Sequence, residues 1–156
     1  SRGLGDVYKR QHITWRATAS ALSNVDVVAE ALEWLVGDDS DLEIDRSTSY
    51  HGPELVMLKA ATSNKRKAMR SFARIGEANL KTLADEFDKR KDDGNILHFR
   101  LTLDSLLLGA PKLADTSTTG TVKGQAKFEA YSGRDTASQF EETLAEAMRI
   151  AREDAQ

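Results

Sequence analysis

The segment from Asp92 to Asp115, DDGNILHFRLTLDSLLLGAPKLAD, constrains the fold more than any other part of the chain. It opens with a turn signal, Asp93-Gly94-Asn95, and continues as a strand with strict alternation. Leu97, Phe99, Leu101 and Leu103 point to one side of the strand, and Ile96, His98, Arg100 and Thr102 point to the other. A short Leu-rich turn, 105–109, follows. A strand that is apolar on one face and carries His and Arg on the other indicates a sheet covered by helices on one face only. The open face could then bind a polyanion.

The rest of the chain supplies seven further elements. We predict strands at His12–Ser20, Leu42–Ser49, Leu55–Thr62 and Thr121–Tyr131, and helices that begin near Ser23, at Asn64 and near Asp135 or Thr136. Gly37 closes the first helix, and Gly76 kinks or splits the second, which extends to about Lys91. The order β-α-β-β-α-β-β-α predicts an α+β fold, with a single mostly antiparallel sheet and helices packed on one face. The pattern alone leaves several topologies open.

The first eleven residues do not read as part of the folded domain. Ser1–Gln11 reads as the translation of a common transposon sequencing adapter, so we expect residues 1–11 to be an artefactual tail. We expect 12–156 to form one α+β domain, from which a few native residues before His12 are missing.

Composition restricts the classes of function. The chain has 22 basic and 25 acidic residues, and without residues 1–11 it has 19 and 24, a net charge of −5. Binding to nucleic acid would therefore need a local basic patch. No cysteine is present, which excludes disulfides and thiolate chemistry and fits a cytoplasmic protein. No apolar run approaches the length of a membrane span, so we expect no membrane partner.

The sequence contains no recognisable catalytic or cofactor motif. It lacks a Ser-His-Asp order, a phosphate-cradling loop and a dinucleotide fingerprint. Its three histidines have no metal-ligand spacing. We therefore expect neither an enzyme nor a metal or cofactor site.

Basic residues recur at the outward positions of the predicted strands. They are Arg16, Lys59, Arg100, Lys123 and Lys127, with His98 beside Arg100. If these strands are neighbours, the open face carries a positive field that contacts phosphates. The alternative is that these are solvated charges matched by Glu43, Asp45 and Glu129. The face lacks the aromatic pair typical of single-strand RNA sheets, which favours recognition of shape or backbone.

A second basic cluster lies at the start of the long helix. It consists of Lys65, Arg66 and Lys67, followed by Arg70 and Arg74. Cations are unfavourable near a helix N-terminus, which makes sense if a phosphate neutralises them. The alternative is a hydrated surface turn.

Three motifs carry a resemblance to a known family. They are the acidic, Gly- and Asn-containing turn before the strand at 96–103, Trp15-Arg16-Ala17 in the first strand, and His51-Gly52 before Leu55–Ala60. Over His12 to Ala151 the chain resembles small archaeal RNA-binding proteins described as exosome-subunit-like, whose fold is related to a 5S-RNA-binding ribosomal protein. The resemblance implies an RNA partner, an accessory role in RNA processing or degradation with the exosome, and a phosphate contact by His51.

Other functions stay open at this point. Ribosomal RNA is an alternative client of the same chemistry. A protein-interaction module and a small-ligand-binding domain are alternatives without nucleic acid. The sequence does not determine the oligomeric state.

Overall fold

The protein is described by a computed structural model over residues 12–20, 25–37, 41–48, 54–62, 64–115, 120–127 and 136–154. Five strands form one sheet: β1 His12–Ser20, β2 Asp41–Thr48, β3 Glu54–Thr62, β4 Ile96–Thr102 and β5 Thr121–Lys127. The strand order is β2-β3-β1-β5-β4, and every neighbouring pair is antiparallel. The predicted α+β class with a single antiparallel sheet is confirmed.

Six helices accompany the sheet in the described residues. They are α1 Val25–Val36, α2 Lys65–Ala73, α3 Glu77–Asp85, α4 Phe87–Arg90, α5 Leu103–Leu107 and α6 Thr136–Asp154. The first helix ends at Gly37, as predicted, and the hairpin of β2 with β3 is also confirmed. The predicted cap at Ser23, the turn at 51–53 and the strand residues 128–131 lie outside the described residues.

The core lies between one face of the sheet and the helices. Trp15 is fully buried, and its indole Nε1 donates a hydrogen bond of 2.8 Å to the hydroxyl of Ser71 in α2. Phe99 from β4 meets the edge of the Trp15 ring at a centroid distance of 5.3 Å. With Trp15 and Phe99 in the core, the open face carries no Phe, Tyr or Trp ring within the described residues.

The long predicted helix is divided into three. Gly76 has φ 94°, a left-handed value that favours glycine, and it separates α2 from α3. A second break at Glu86 separates α3 from α4. Splitting lets α2 cover β1 while α6 packs across both α2 and α3.

The end of β4 differs from the prediction. The strand stops at Thr102, whose hydroxyl accepts a hydrogen bond from the Ser105 amide, and Leu103 begins α5. The Leu-rich segment predicted as a turn is therefore mostly a short helix that buries Leu106 against the core. The N-cap chemistry of Thr102 outweighs the continued alternation.

Candidate nucleic-acid interface

Four cations lie in one row across the open face of the sheet. Arg16 in β1 is the register partner of Lys59 in β3 and of Lys123 in β5. Lys123 is in turn the partner of Arg100 in β4. Since neighbouring strands are about 4.8 Å apart, the row Lys59–Arg16–Lys123–Arg100 is roughly 14 Å long. We call it the cation row.

The cation row has an electrostatic cost in the isolated protein. Like charges directly opposite each other on neighbouring strands are destabilising. Within the part of the chain that the structure describes, none of the four side chains forms an ion pair. Only Lys59 has an acid as a register partner, Glu43 at the β2 edge. The predicted match with acids therefore holds at one end of the row, and Asp45 lies opposite the apolar Met57.

The remaining predicted residues of this face lie farther along the strands. His98 pairs with Gln125 in the next outward row, and Lys127 lies one such row beyond it, opposite Ile96. All four side chains are half-buried. Within the described residues this face carries no Phe, Tyr or Trp ring, which is consistent with contact to backbone and shape.

His98 is held by an acid on the preceding turn. Its Nε2 lies 2.7 Å from Oδ2 of Asp92, and the other carboxylate oxygen, Oδ1, accepts hydrogen bonds from the Gly94 and Ile96 amides at 2.8 and 3.1 Å. The hydrogen bonds from His98 and then Ile96 lower the pKa of Asp92 below its ordinary value of 3.8. Asn95, at φ 62°, completes the predicted turn.

The second basic cluster lies on the other side of the sheet, in the helical layer. The Asn64 side chain caps α2 by accepting from the Lys67 amide at 3.1 Å, and Lys65, Arg66, Lys67 and Arg70 are exposed. The cleft of about 740 Å³ that this helix forms with α6 is also lined by Glu146, Glu153 and Asp154. A hydrogen bond from Arg149 of α6 lowers the pKa of Glu146, and Arg149 also donates to Glu153 at 2.6 Å.

Arg74 has a structural role that the sequence did not reveal. Its Nη1 donates to the carbonyl oxygens of Trp34 and Leu35 at 2.8 and 3.1 Å. These carbonyls belong to the last turn of α1, where the helix itself supplies no partners. Arg74 therefore joins the end of α2 to α1.

His51, the remaining predicted contact residue, lies outside the described residues.

The sequence also matches a known protein family. A family model described as RNA binding matches residues 12–143. The chain belongs to this RNA-binding family. No curated protein matches the chain.

Solved structures of archaeal proteins share the fold. A DUF54 protein from Archaeglobus fulgidus is 16% identical, with a TM-score of 0.65 over 93% of this chain and 99% of that chain. Mth689, a DUF54 protein from Methanothermobacter thermautotrophicus, is 20% identical, with a TM-score of 0.61 over 90% and 96%. A UPF0201 protein from Methanococcus jannaschii is 13% identical, with a TM-score of 0.60 over 85% and 98%.

The described residues contain neither a candidate metal site nor a candidate membrane-spanning helix. No group of three or more His, Cys, Asp or Glu side chains is arranged there to hold a metal ion. No described helix combines the length and the apolar character needed to cross a membrane.

Proposed function

We propose that this protein binds RNA through the open face of its sheet, with the cation row against the phosphate backbone. The observation that carries the proposal is the register of Lys59, Arg16, Lys123 and Arg100 on four adjacent strands. A folded protein keeps such a row at an electrostatic cost, and a line of phosphates removes that cost. Membership of the RNA-binding family supports the same partner.

The proposed mode of recognition is electrostatic and shape-based. Lys and Arg contacts to phosphate give affinity without reading sequence. Proteins that bind single strands mostly stack bases on Phe, Tyr or Trp, and none of these lies on this face within the described residues. His98 and Lys127 extend the proposed contact along β4 and β5. The helical cluster is left out of the proposed contact, because its cations come from one helix and form no row across strands, and α6 brings Glu146, Glu153 and Asp154 into their cleft beside Arg149.

The proposed biological role is that of an accessory protein in RNA processing or degradation. The link to the exosome is supported only by the resemblance of the three motifs, and ribosomal RNA is the alternative client. The chemistry of the cation row is the same for both.

Salt dependence and charge reversal test the proposal together. Fluorescence anisotropy of the full chain with a labelled RNA duplex should give a Kd that rises roughly a hundredfold between 50 and 200 mM salt, as four phosphate contacts require. Changing Arg16, Lys123 and Arg100 to Glu should abolish binding.

The matched control reverses the same number of charges in the helical cluster. Arg66→Glu, Lys67→Glu and Arg70→Glu give the same net charge as the row variant, so bulk charge is held constant. This control should keep most of the affinity. Equal losses in both variants would contradict the assignment to the sheet face, and salt-tolerant binding would contradict phosphate contacts.

A protein-interaction role is the second candidate. Met57 and Leu55, two residues apart on the open face of β3, are 52% and 38% exposed. Exposed apolar side chains that lie together mark protein contacts. A folded protein that binds no RNA at 50 mM salt would favour this candidate over the first.

A further inference from the structure

We propose that a cleft at the β4 edge of the sheet holds one unpaired nucleotide of the bound RNA. The proposal rests on the proposed function and adds a recognition element to it. The cleft has a volume of about 730 Å³, within the range of small-molecule sites. Arg100 and Lys123 line it and also form one end of the cation row, so the two sites are continuous.

The β4 edge is covered at both ends and open between them. At one end the Asp92 amide donates to the Ile96 carbonyl at 3.0 Å. At the other end the Ala114 amide donates to the Arg100 carbonyl at 2.8 Å, and the Thr102 amide donates to the Lys112 carbonyl at 2.9 Å.

His98 lies in the uncovered gap. Alternate residues of an antiparallel strand direct both main-chain groups to the same side, so those of His98 point outward like those of Ile96 and Arg100. The antiparallel bridge of Lys91 with Leu97 places the His98 N–H against the Arg90 carbonyl, and Ala114 covers the Arg100 carbonyl. Among the described residues, the His98 carbonyl and the Arg100 N–H are left uncovered. The gap therefore presents one N–H donor and one carbonyl acceptor side by side.

The polar side chains around the gap are held in place. Arg90 in α4 donates through Nε to Glu86 at 2.8 Å. His98 contacts Asp92 through Nε2, which leaves Nδ1 available. Leu113 and Ala114, both half-buried, give the cleft an apolar part. Groups fixed in this way lose little conformational entropy when a ligand binds.

A nucleotide has the chemistry that this arrangement accepts. Its phosphate suits Arg100 and Lys123, and its base is a flat ring with donors and acceptors along one edge. The His98 carbonyl and the Arg100 N–H can pair with that edge. In a duplex the base edges are already paired and stacked, so only an unpaired nucleotide can enter the cleft.

The test compares RNAs that differ by one unpaired nucleotide. Anisotropy of the full chain is measured with a duplex carrying a one-nucleotide overhang, at either end, and with a blunt duplex lengthened by one base pair. We expect the overhang to bind about fivefold tighter, the factor of one net hydrogen bond. Ala114→Leu fills the cleft without changing any charge, and it should remove this advantage while blunt binding is unchanged.

Ala110→Leu is the matched control, because Ala110 is exposed and does not line the cleft. It should keep the full advantage. Equal wild-type affinity for overhang and blunt RNA, or an advantage that survives Ala114→Leu, would overturn the cleft proposal alone. Adenosine monophosphate that binds more tightly than the overhang RNA would assign the cleft to a free nucleotide. Absence of binding to every RNA would instead overturn the proposed function.

Discussion

Gly124 determines how the two largest rings of the core meet. It lies in β5 between β1 and β4, opposite Trp15 on one side and Phe99 on the other. A Cβ at this position would lie 2.7 Å from Cζ3 of Trp15 and 2.6 Å from Cε2 of Phe99. Both rings are buried in the core, and the Trp15 indole also donates a hydrogen bond to Ser71. Displacing either ring would therefore cost packing free energy.

We therefore expect Gly124→Ala to destabilise the protein. Overpacking of a filled core costs about 1–3 kcal/mol, and this contact is at the tighter end. Urea unfolding followed by tryptophan fluorescence measures the change in the free energy of unfolding. Gly94→Ala is the control, because its Cβ would meet only Asp92 Oδ1, at 3.4 Å. Equal stability of Gly124→Ala and wild type would contradict the packing described for this site.

Two connections between elements depend on single polar side chains. Arg74 of α2 satisfies carbonyl groups at the end of α1, and Arg152 of α6 lies 2.6 Å from Glu77 of α3. The turn between α4 and β4 depends on Asp92, which accepts from two backbone amides and from His98. Asp92 thus connects the helical segment to the strand that carries Arg100.

Stability should depend on the ionisation of Asp92 at acid pH. Its pKa is lowered in the folded state, so its contribution is present above the ordinary value of 3.8 and is lost as the pH falls through the folded-state pKa. We expect the difference in melting temperature between wild type and Asp92→Asn to shrink as the pH falls from 5 to below 3. Circular dichroism at a series of pH values measures it. A constant difference over this range would contradict the role of the charge.

On the scale of the whole molecule, the charge distribution opposes the net charge. The chain is acidic, yet the described open face concentrates cations in one row. Lys123 is central to this arrangement, because Arg16 and Arg100 are its partners on both sides. We expect such a row to lower the free energy of unfolding of the free protein and to raise its affinity for RNA.

We expect Lys123→Gln to stabilise the free protein while it weakens RNA binding. Removal of like-charge pairs should raise the free energy of unfolding by about 0.5–1 kcal/mol at low salt, and the gain should fade as salt screens the row. Lys127→Gln is the control, since its strand partners are His12 and Ile96. It should leave stability unchanged, because Ile96 carries no charge. A destabilised Lys123→Gln protein would contradict the like-charge argument.

The sequence by itself determined the fold class and the faces of its elements. Alternation in β1, β4 and β5 predicted which side chains are buried, because a strand has a fixed period of two. Gly37 and Gly76 marked helix boundaries for the same local reason. Where capping at Thr102 competed with alternation, sequence reasoning extended the strand by one residue. These predictions succeed because they depend on residues that are neighbours along the chain.

Only the tertiary structure decided the order and register of the strands. Lys59, Arg16, Lys123 and Arg100 were each predicted to face outward, but nothing local states that they fall in one row, since register depends on the pairing of distant segments. For the same reason, the sequence did not predict the contact of Arg74 with α1 or the cleft at the β4 edge. The position of a charge on its own strand is a local property, whereas the surface that it shares with other charges is set by long-range packing.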